Sequence, residues 1–437
     1  MEDANLPPRP GGLATVPEPS AIPRGADTGP VPRGVGRRVG WGLADQALSS
    51  ATNFALAIVV ARTVDARAFG AFGLAFAAYI LAVGTSRAVV NEPLAIRFSS
   101  KSKTEQRRAC GQAVGAALTF GVVGGAITSA AAMLVGGPTR GTLLAFSVCL
   151  PGLLMQDAWR SAFLTLGHPK RAFLNDLVWA ALQAGGMAVV LRGDPTPGVL
   201  VAVWGGAAAV AAIAGSLQAG LPPVLGALSG WLHHHRDLWP RLSTEFWVMT
   251  GMWQLTIFAV GALAGLEAVG SIRGAQTLLG PLNLFFLAVP LVLLPEAARL
   301  YAEHPTRLVN MSAMVGAALA ALAVLAGVAA LLVPGDLGRQ LLGPTWEGTR
   351  VVLLPTALFL ASTGANLGAL LGLRAKGATD ASLRARLVVS PVVVIGGLTG
   401  GAAGGAVGAA TGLAVANWVA TIVWWRALRS AVRRQEP

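Results

Sequence analysis

Charge is scarce along this chain of 437 residues, with Asp, Glu, Lys and Arg together at 12% against 54% hydrophobic residues. A soluble domain carries about twice that charge, so a mean hydropathy of +0.62 excludes one and points to a polytopic membrane protein. Only two cysteines occur, Cys110 and Cys149. Both fall at or within apolar stretches, which excludes a disulfide framework and predicts free thiols. No GxxxxGK[ST] loop occurs, which excludes a P-loop ATPase. Long loops are also missing: the longest on the predicted outer side, around 334–349, is too short for the catalytic loop of a multispanning glycosyltransferase. We therefore expect no enzyme, no catalytic residues and no cofactor. The run His233 to His235 lacks Cys or carboxylate companions at ligand spacing, so it reads as a solvated loop with no metal. The formal charge of +13 is spread over short loops, unlike the continuous patch that nucleic acid requires.

Apolar runs dominate what is present. Residues 1–40 are rich in Pro, Gly and Arg and read as a disordered cytoplasmic tail without a cleavable signal. Beyond them, a span needs roughly 20 apolar residues, which divides the chain into about twelve all-α transmembrane helices. We place these at 41–61, 69–92, 110–135, 142–166, 172–191, 198–218, 244–264, 268–295, 308–333, 350–373, 384–401 and 404–425. Most of the 33 Lys and Arg residues then fall in alternate loops, and the positive-inside rule makes those loops cytoplasmic, with both termini inside. The organisation expected is a six-helix lobe at 41–218, an interfacial linker at 219–243, a second six-helix lobe at 244–426 and a basic tail at 427–437. The linker core GWLHHHRDLWPRLS (230–243) interleaves Trp231 and Trp239 with basic residues, as an interface-anchored segment would.

Three arginines, Arg87, Arg160 and Arg273, lie inside predicted spans. A charged side chain near the bilayer centre costs about 2.5 to 3.5 kcal/mol on insertion scales, so each should face a partner, a cavity or a substrate. Arg87 lies about ten residues, or roughly 15 Å, from the cytoplasmic end of its helix, too deep to reach water easily. Glu92 follows it, then Pro93, where a helix tends to kink. Asp157 and Arg160 share one face at i, i+3. Span 1 adds Asp45, Gln46, Ser49 and Asn53, and span 5 adds Asn175, Asp176 and Gln183. Arg273 is nearer the outer end and could snorkel, yet Arg273, Gln276, Gly280 and Asn283 form one helical stripe. Two roles stay open and are compatible. Arg87 and Arg160 can neutralise Asp45, Glu92, Asp157 or Asp176 across helices, with those acids as charge partners or ion-coupling groups. They can also line a hydrated cavity, with Arg273, Asn53, Gln276 and Asn283, and engage an anionic headgroup whose oxygens fit the guanidinium fork.

A repeat is suggested by NEPLAIR (91–97) and LPEAARL (294–300), and the same offset pairs Pro151 with Pro355. With WGLADQALSSATNFALAIVVARTVDARAFGAFGLAFAAYILAVGTSRAVVNEP (41–93), these features resemble the polysaccharide and oligosaccharide flippases (Wzx-like exporters) of the multidrug, oligosaccharidyl-lipid and polysaccharide (MOP) transporter superfamily. The resemblance extends over 41–426 through helix count, lobes and linker. It implies a MATE-like fold of two lobes around a cavity that opens alternately to each side of a bacterial cytoplasmic (inner) membrane. The cargo implied is a polyprenyl-pyrophosphate-linked glycan of the kind exported as O-antigen or teichoic acid. Expected partners are membrane lipid, that glycan, and a polysaccharide polymerase or glycosyltransferases. The rival of the same fold is a cation-coupled multidrug or metabolite antiporter, in which Asp45 or Asp157 would carry the ion.

Overall fold

The computed structural model describes residues 33–433, so the predicted tail at 1–32 and the last residues of the basic tail, 434–437, lie outside the described residues. Helix α1 (Arg33–Thr63) already covers 33–40, which corrects the predicted disorder there. Asp65 caps α2 (Ala66–Ser86) by accepting from the Ala68 amide at 2.7 Å. A π-turn at Arg87–Asn91 joins α2 to α3 (Glu92–Phe98). Ser102 and Glu105 form a reciprocal capping box at the start of α4 (Lys103–Met133), where each satisfies an otherwise orphan amide. Next come α5 (Gly137–Thr165), α6 (Pro169–Val190) and α7 (Pro197–Ala219), closed by Gly220 at φ +61°.

The linker holds α8 (Ala227–His234), after which α9 (Trp239–Phe246) runs through a second π-turn, Trp247–Gly251, into α10 (Met252–Ala264). The predicted eighth span is two helices, α11 (Leu266–Leu278) and α12 (Leu282–Glu303), because Gly280 and Pro281 break the ladder between them. The chain continues through α13 (Pro305–Leu331), a short α14 (Gly335–Leu342) and α15 (Trp346–Ala375). The last segment, α16 (Thr379–Arg433), turns back on itself at Gly404 and Gly405.

Ten of the described helices are long and apolar enough to cross a membrane. The reversal at Gly404–Gly405 makes two passes of the longest, and the continuous run Trp239–Ala264 adds another, which gives twelve.

Each lobe is built around a central helix: α5 packs on α4 and α7, as α15 packs on α13 and α16. The single offset expected from Pro151 and Pro355 does not hold through a lobe. The ends of α4 and α13 are Met133 and Leu331, but the following helices start at Gly137 and Trp346, because α14 is inserted only in the second lobe. Loop contacts sort the two ends of the bundle. At the basic end Lys103 donates to the Leu166 carbonyl, Arg107 to Ala219 and Arg171 to Gln218. At the opposite end Thr345 donates to the Ala61 carbonyl, and Gly343 at φ +54° lies against the Arg62 backbone. There α2 and α11 cross so closely that Gly70 meets the Leu266 carbonyl and Gly270 meets the Ala66 carbonyl. Positive-inside topology assigns the basic end to the cytoplasm.

The linker departs from expectation. Trp231 is buried, not a lipid anchor, and its indole N–H donates to the Val89 carbonyl at 3.1 Å. That carbonyl is the one Pro93 cannot reach, since proline lacks an N–H to bond four residues back. The kink therefore falls one turn before Pro93, as a π-turn stabilised from the linker. His235 is buried as well, 4.1 Å between ring centroids from Trp231, so the histidine run is not wholly solvated. Arg97 ties the same linker down through Asp237 and the His234 carbonyl.

Candidate substrate cavity

Between the lobes lies a cavity of about 970 Å³, walled by α1, α2, α5, α10, α11, α12, α15 and α16. Arg87, Arg160 and Arg273 all line it, as do Asn53, Gln276 and Asn283. A fourth cation, Arg386 from α16, completes the wall, and among the described residues no Asp or Glu lines it. The acids stand behind the arginines. Asp157 grips Arg87 with both carboxylate oxygens, at 2.6 Å to Nη2 and 2.9 Å to Nε, and accepts from Asn91 at 2.8 Å. The carboxylate is 9% exposed while the guanidinium side chain keeps 47% of its surface, so the cation is presented and the anion hidden.

Arg160 is held in the same way. Its Nε donates to Asp45 at 2.5 Å, with Asp176 at 3.8 Å, and its Nη2 donates to Gln46 at 3.1 Å. Gln156 in turn donates to Asp176 at 2.6 Å. Thus α1, α5 and α6 meet at one guanidinium, and the stripe of polar residues on span 1 faces it. Asp157 and Arg160, neighbours on α5, do not pair with each other. Glu92 is exposed and makes no ion pair with either arginine; the π-turn carries it away from Arg87, which corrects its expected partnership. Cys110 and Cys149 are free and buried. Among the described residues no group of His, Cys, Asp and Glu could hold a metal ion.

Arg273 differs from the other two. Its Cζ sits 4.5 Å from the centroid of the Phe76 ring, a cation–π contact, and it has no carboxylate partner among the described residues. Its Nε is buried without a hydrogen-bond acceptor. It faces the cavity rather than snorkelling outward. Gln276, Gly280 and Asn283 continue the same wall, so the helical stripe survives the break between α11 and α12.

Sequence reasoning missed Arg386 and Asn417. Arg386 falls only two residues inside the predicted span 384–401, close enough to its cytoplasmic end to read as a loop residue, but α16 starts at Thr379 and carries it a full two turns inward, over the Trp424 ring. The helix-starting pair Thr379–Asp380 was the available signal. Asn417 donates to Ser362 at 2.7 Å and to Thr363 at 3.0 Å, and with Thr363 lines the second-lobe side of the cavity.

No family model matches the sequence. No curated protein matches it either. Among solved structures the chain is similar to the lipid II flippase MurJ in an inward closed conformation, with a TM-score of 0.70 and 11% identity over 90% of this chain and 87% of that one. It is similar to an inward-facing multidrug resistance MATE transporter of the MOP superfamily, with a TM-score of 0.64 and 14% identity over 91% and 100%. The Vibrio cholerae MATE transporter VcmN follows with a TM-score of 0.52 and 15% identity over 92% and 97%. The chain therefore has the fold of the lipid II flippase and of these MATE transporters, of which the inward-facing one belongs to the MOP superfamily.

Proposed function

We propose that this protein is a flippase of the MOP type that carries a polyprenyl-pyrophosphate-linked oligosaccharide or polysaccharide precursor across a bacterial cytoplasmic membrane by alternating access. The observation that carries the reading is the sign of the cavity wall: four arginines and, among the described residues, no carboxylate. Guanidinium forks match phosphate oxygens in pairs, and in a site shielded from bulk water such contacts are much stronger than on a surface. Sugar hydroxyls lose several kcal/mol each when desolvated without a partner. The Ser, Thr, Asn and Gln groups around the wall, among them Asn53, Gln276, Asn283 and Asn417, offer them partners. The lobes meet closely at the end opposite the basic loops, which suits a state in which cargo loads from the cytoplasm.

The acids fit this reading as supports. Asp45, Asp157 and Asp176 hold two of the arginines in place while contributing nothing to the wall. A cationic drug would meet the guanidinium face first, which disfavours the antiporter. Arg87→Gln and Arg160→Gln should each reduce export of lipid-linked glycan at least tenfold, with the protein still present in the membrane. Wild-type export in both single variants would remove the cavity from the mechanism. Cells lacking the protein that accumulate no lipid-linked glycan, yet become sensitive to cationic dyes, would establish the antiporter instead.

A further inference from the structure

A second cleft, of about 590 Å³, opens at the basic end within the second lobe, between α9, the end of α15 and the start of α16. Its cause lies in the first lobe. Helix α9 leans on the π-turn at Arg87–Asn91 and seats Phe246 against Gly84 of α2, which draws the start of the seventh span away from α16. Farther along, α10 and α16 pack together, so the gap closes toward the opposite end. The cleft is lined by an apolar strip, with Val248 and Leu383 on its two walls, and by two basic and two acidic side chains, Arg241 and Arg374 with Glu245 and Asp380, which leave its charged lining balanced. Neither arginine makes an ion pair among the described residues.

Two features connect this cleft to the central cavity. Val248 lines both spaces. On α16, Leu383 in the cleft is followed by Arg386 and Ser390 in the cavity, at i, i+3 and i+7, so one helical face runs unbroken from one to the other. The volume lies within the range of ligand pockets. An occupant of the strip must be apolar along its body and connected to whatever fills the cavity, where Arg386 favours an anionic end.

We propose that the cleft between α9 and α16 receives the isoprenoid units next to the pyrophosphate of the lipid-linked cargo, so that the chain leaves the cavity past Val248 and Leu383. This rests on the flippase reading and adds where the lipid portion lies. Covering the strip with a prenyl chain removes apolar surface of both from water, at about 25 cal/mol per Å². Arg386 stands at the junction, where the pyrophosphate must sit if the chain turns into the cleft.

The test uses the full chain in proteoliposomes with a polyprenyl pyrophosphate carrying a photoactivatable diazirine in its first isoprene unit. Crosslinks should map to residues 240–248 and 373–383. Leu383→Trp and Thr244→Trp, which fill the cleft from opposite walls, should each reduce both crosslinking and flipping at least tenfold. Protection of the cavity arginines from phenylglyoxal by inorganic pyrophosphate should be unchanged, which also shows that the variants fold. Crosslinks confined to other helices, with both tryptophan variants at wild-type rate, would overturn the proposal and leave the flippase reading standing. Crosslinks in the cleft while pyrophosphate fails to protect the arginines would leave a lipid-chain site and overturn the flippase reading. Neither crosslinks nor protection would overturn both.

Discussion

The crossing of α2 and α11 is the sharpest place to test alternating access. A methyl carbon added at Gly70 would lie closer than 3.0 Å to the Leu266 carbonyl oxygen, and one at Gly270 closer than 3.0 Å to the Ala66 carbonyl oxygen. Both obstacles are backbone, which cannot rotate aside. Overpacking of this kind costs about 1–3 kcal/mol. The cost falls only on the state in which the helices cross, because separating them at the outer end removes the clash. Alanine also gains about 1 kcal/mol over glycine in a helix interior, but in both states, so that gain cancels from the equilibrium between them. Gly70→Ala should therefore raise the outward-open population about 5- to 150-fold. The double variant with Gly270→Ala should add little more, since one separation relieves both contacts. The assay is the rate at which a membrane-impermeant maleimide, added from outside, labels a cysteine placed at Asn283 in the cavity. Background is low because Cys110 and Cys149 are buried. Gly185→Ala, where a methyl group meets nothing within 4 Å, is the matched control. An unchanged labelling rate in folded Gly70→Ala protein would refute the reasoning.

Two other outcomes are expected. Asp157→Ala leaves Arg87 without its bidentate partner and should destabilise the protein by about 2–3 kcal/mol, less than the roughly 3–5 kcal/mol of a fully buried pair because Arg87 keeps contact with the cavity; thermal unfolding of the single variants and of Asp157→Ala/Arg87→Gln, which should recover part of the loss, checks this. Burial beside Trp231 and Phe98 pushes the His235 imidazole below its ordinary 6.5. The unfolded linker then binds more protons than the packed one as the medium turns acid, so packing stability is complete above about pH 6.5 and is lost as the pH falls through the lowered value. Amide exchange over α8, corrected for its intrinsic pH dependence, should rise between pH 7 and 5 in the native chain and stay flat in His235→Phe.

Helix number, lobe order and three of the four cavity arginines were legible from composition and spacing, because an embedded charge stands out against an apolar run. What periodicity could not supply was the partner across space. Arg87 has Glu92 five residues away, and only the π-turn, which rotates the helix before Pro93, sends its fork to Asp157 on α5 instead. The Trp231 indole that supports this turn reads in sequence as an interfacial anchor, since nothing local shows that a carbonyl orphaned by Pro93 lies within its reach. Arg386 was lost for a different reason. Near a helix end, a basic residue counts toward topology unless the true start of the helix is known, and a shift of a few residues moves it from loop to cavity.

The arrangement of charge argues for an anion more strongly than the number of arginines does. Had the acids stood in the wall beside the arginines, each pair would offer a neutral surface and either sign of cargo could bind. Asp45 and Asp176 are instead 1% and 2% exposed behind Arg160, and Asp157 is hidden behind Arg87. A cation brought to 4 Å from a guanidinium meets about 4 kcal/mol of repulsion at an effective dielectric of 20, which the acids behind offset in part because they lie one guanidinium farther from it. A pyrophosphate in the same place gains by a similar amount, and can take hydrogen bonds from the edges that the acids leave open. Its arrival weakens the grip of Asp157 and Asp45 on their arginines, and those acids belong to α5 and α1, helices on different sides of the first lobe. On the flippase reading, cargo binding and helix position would be coupled through the same guanidinium groups, so that an anionic headgroup would bias the packing of the lobe that receives it.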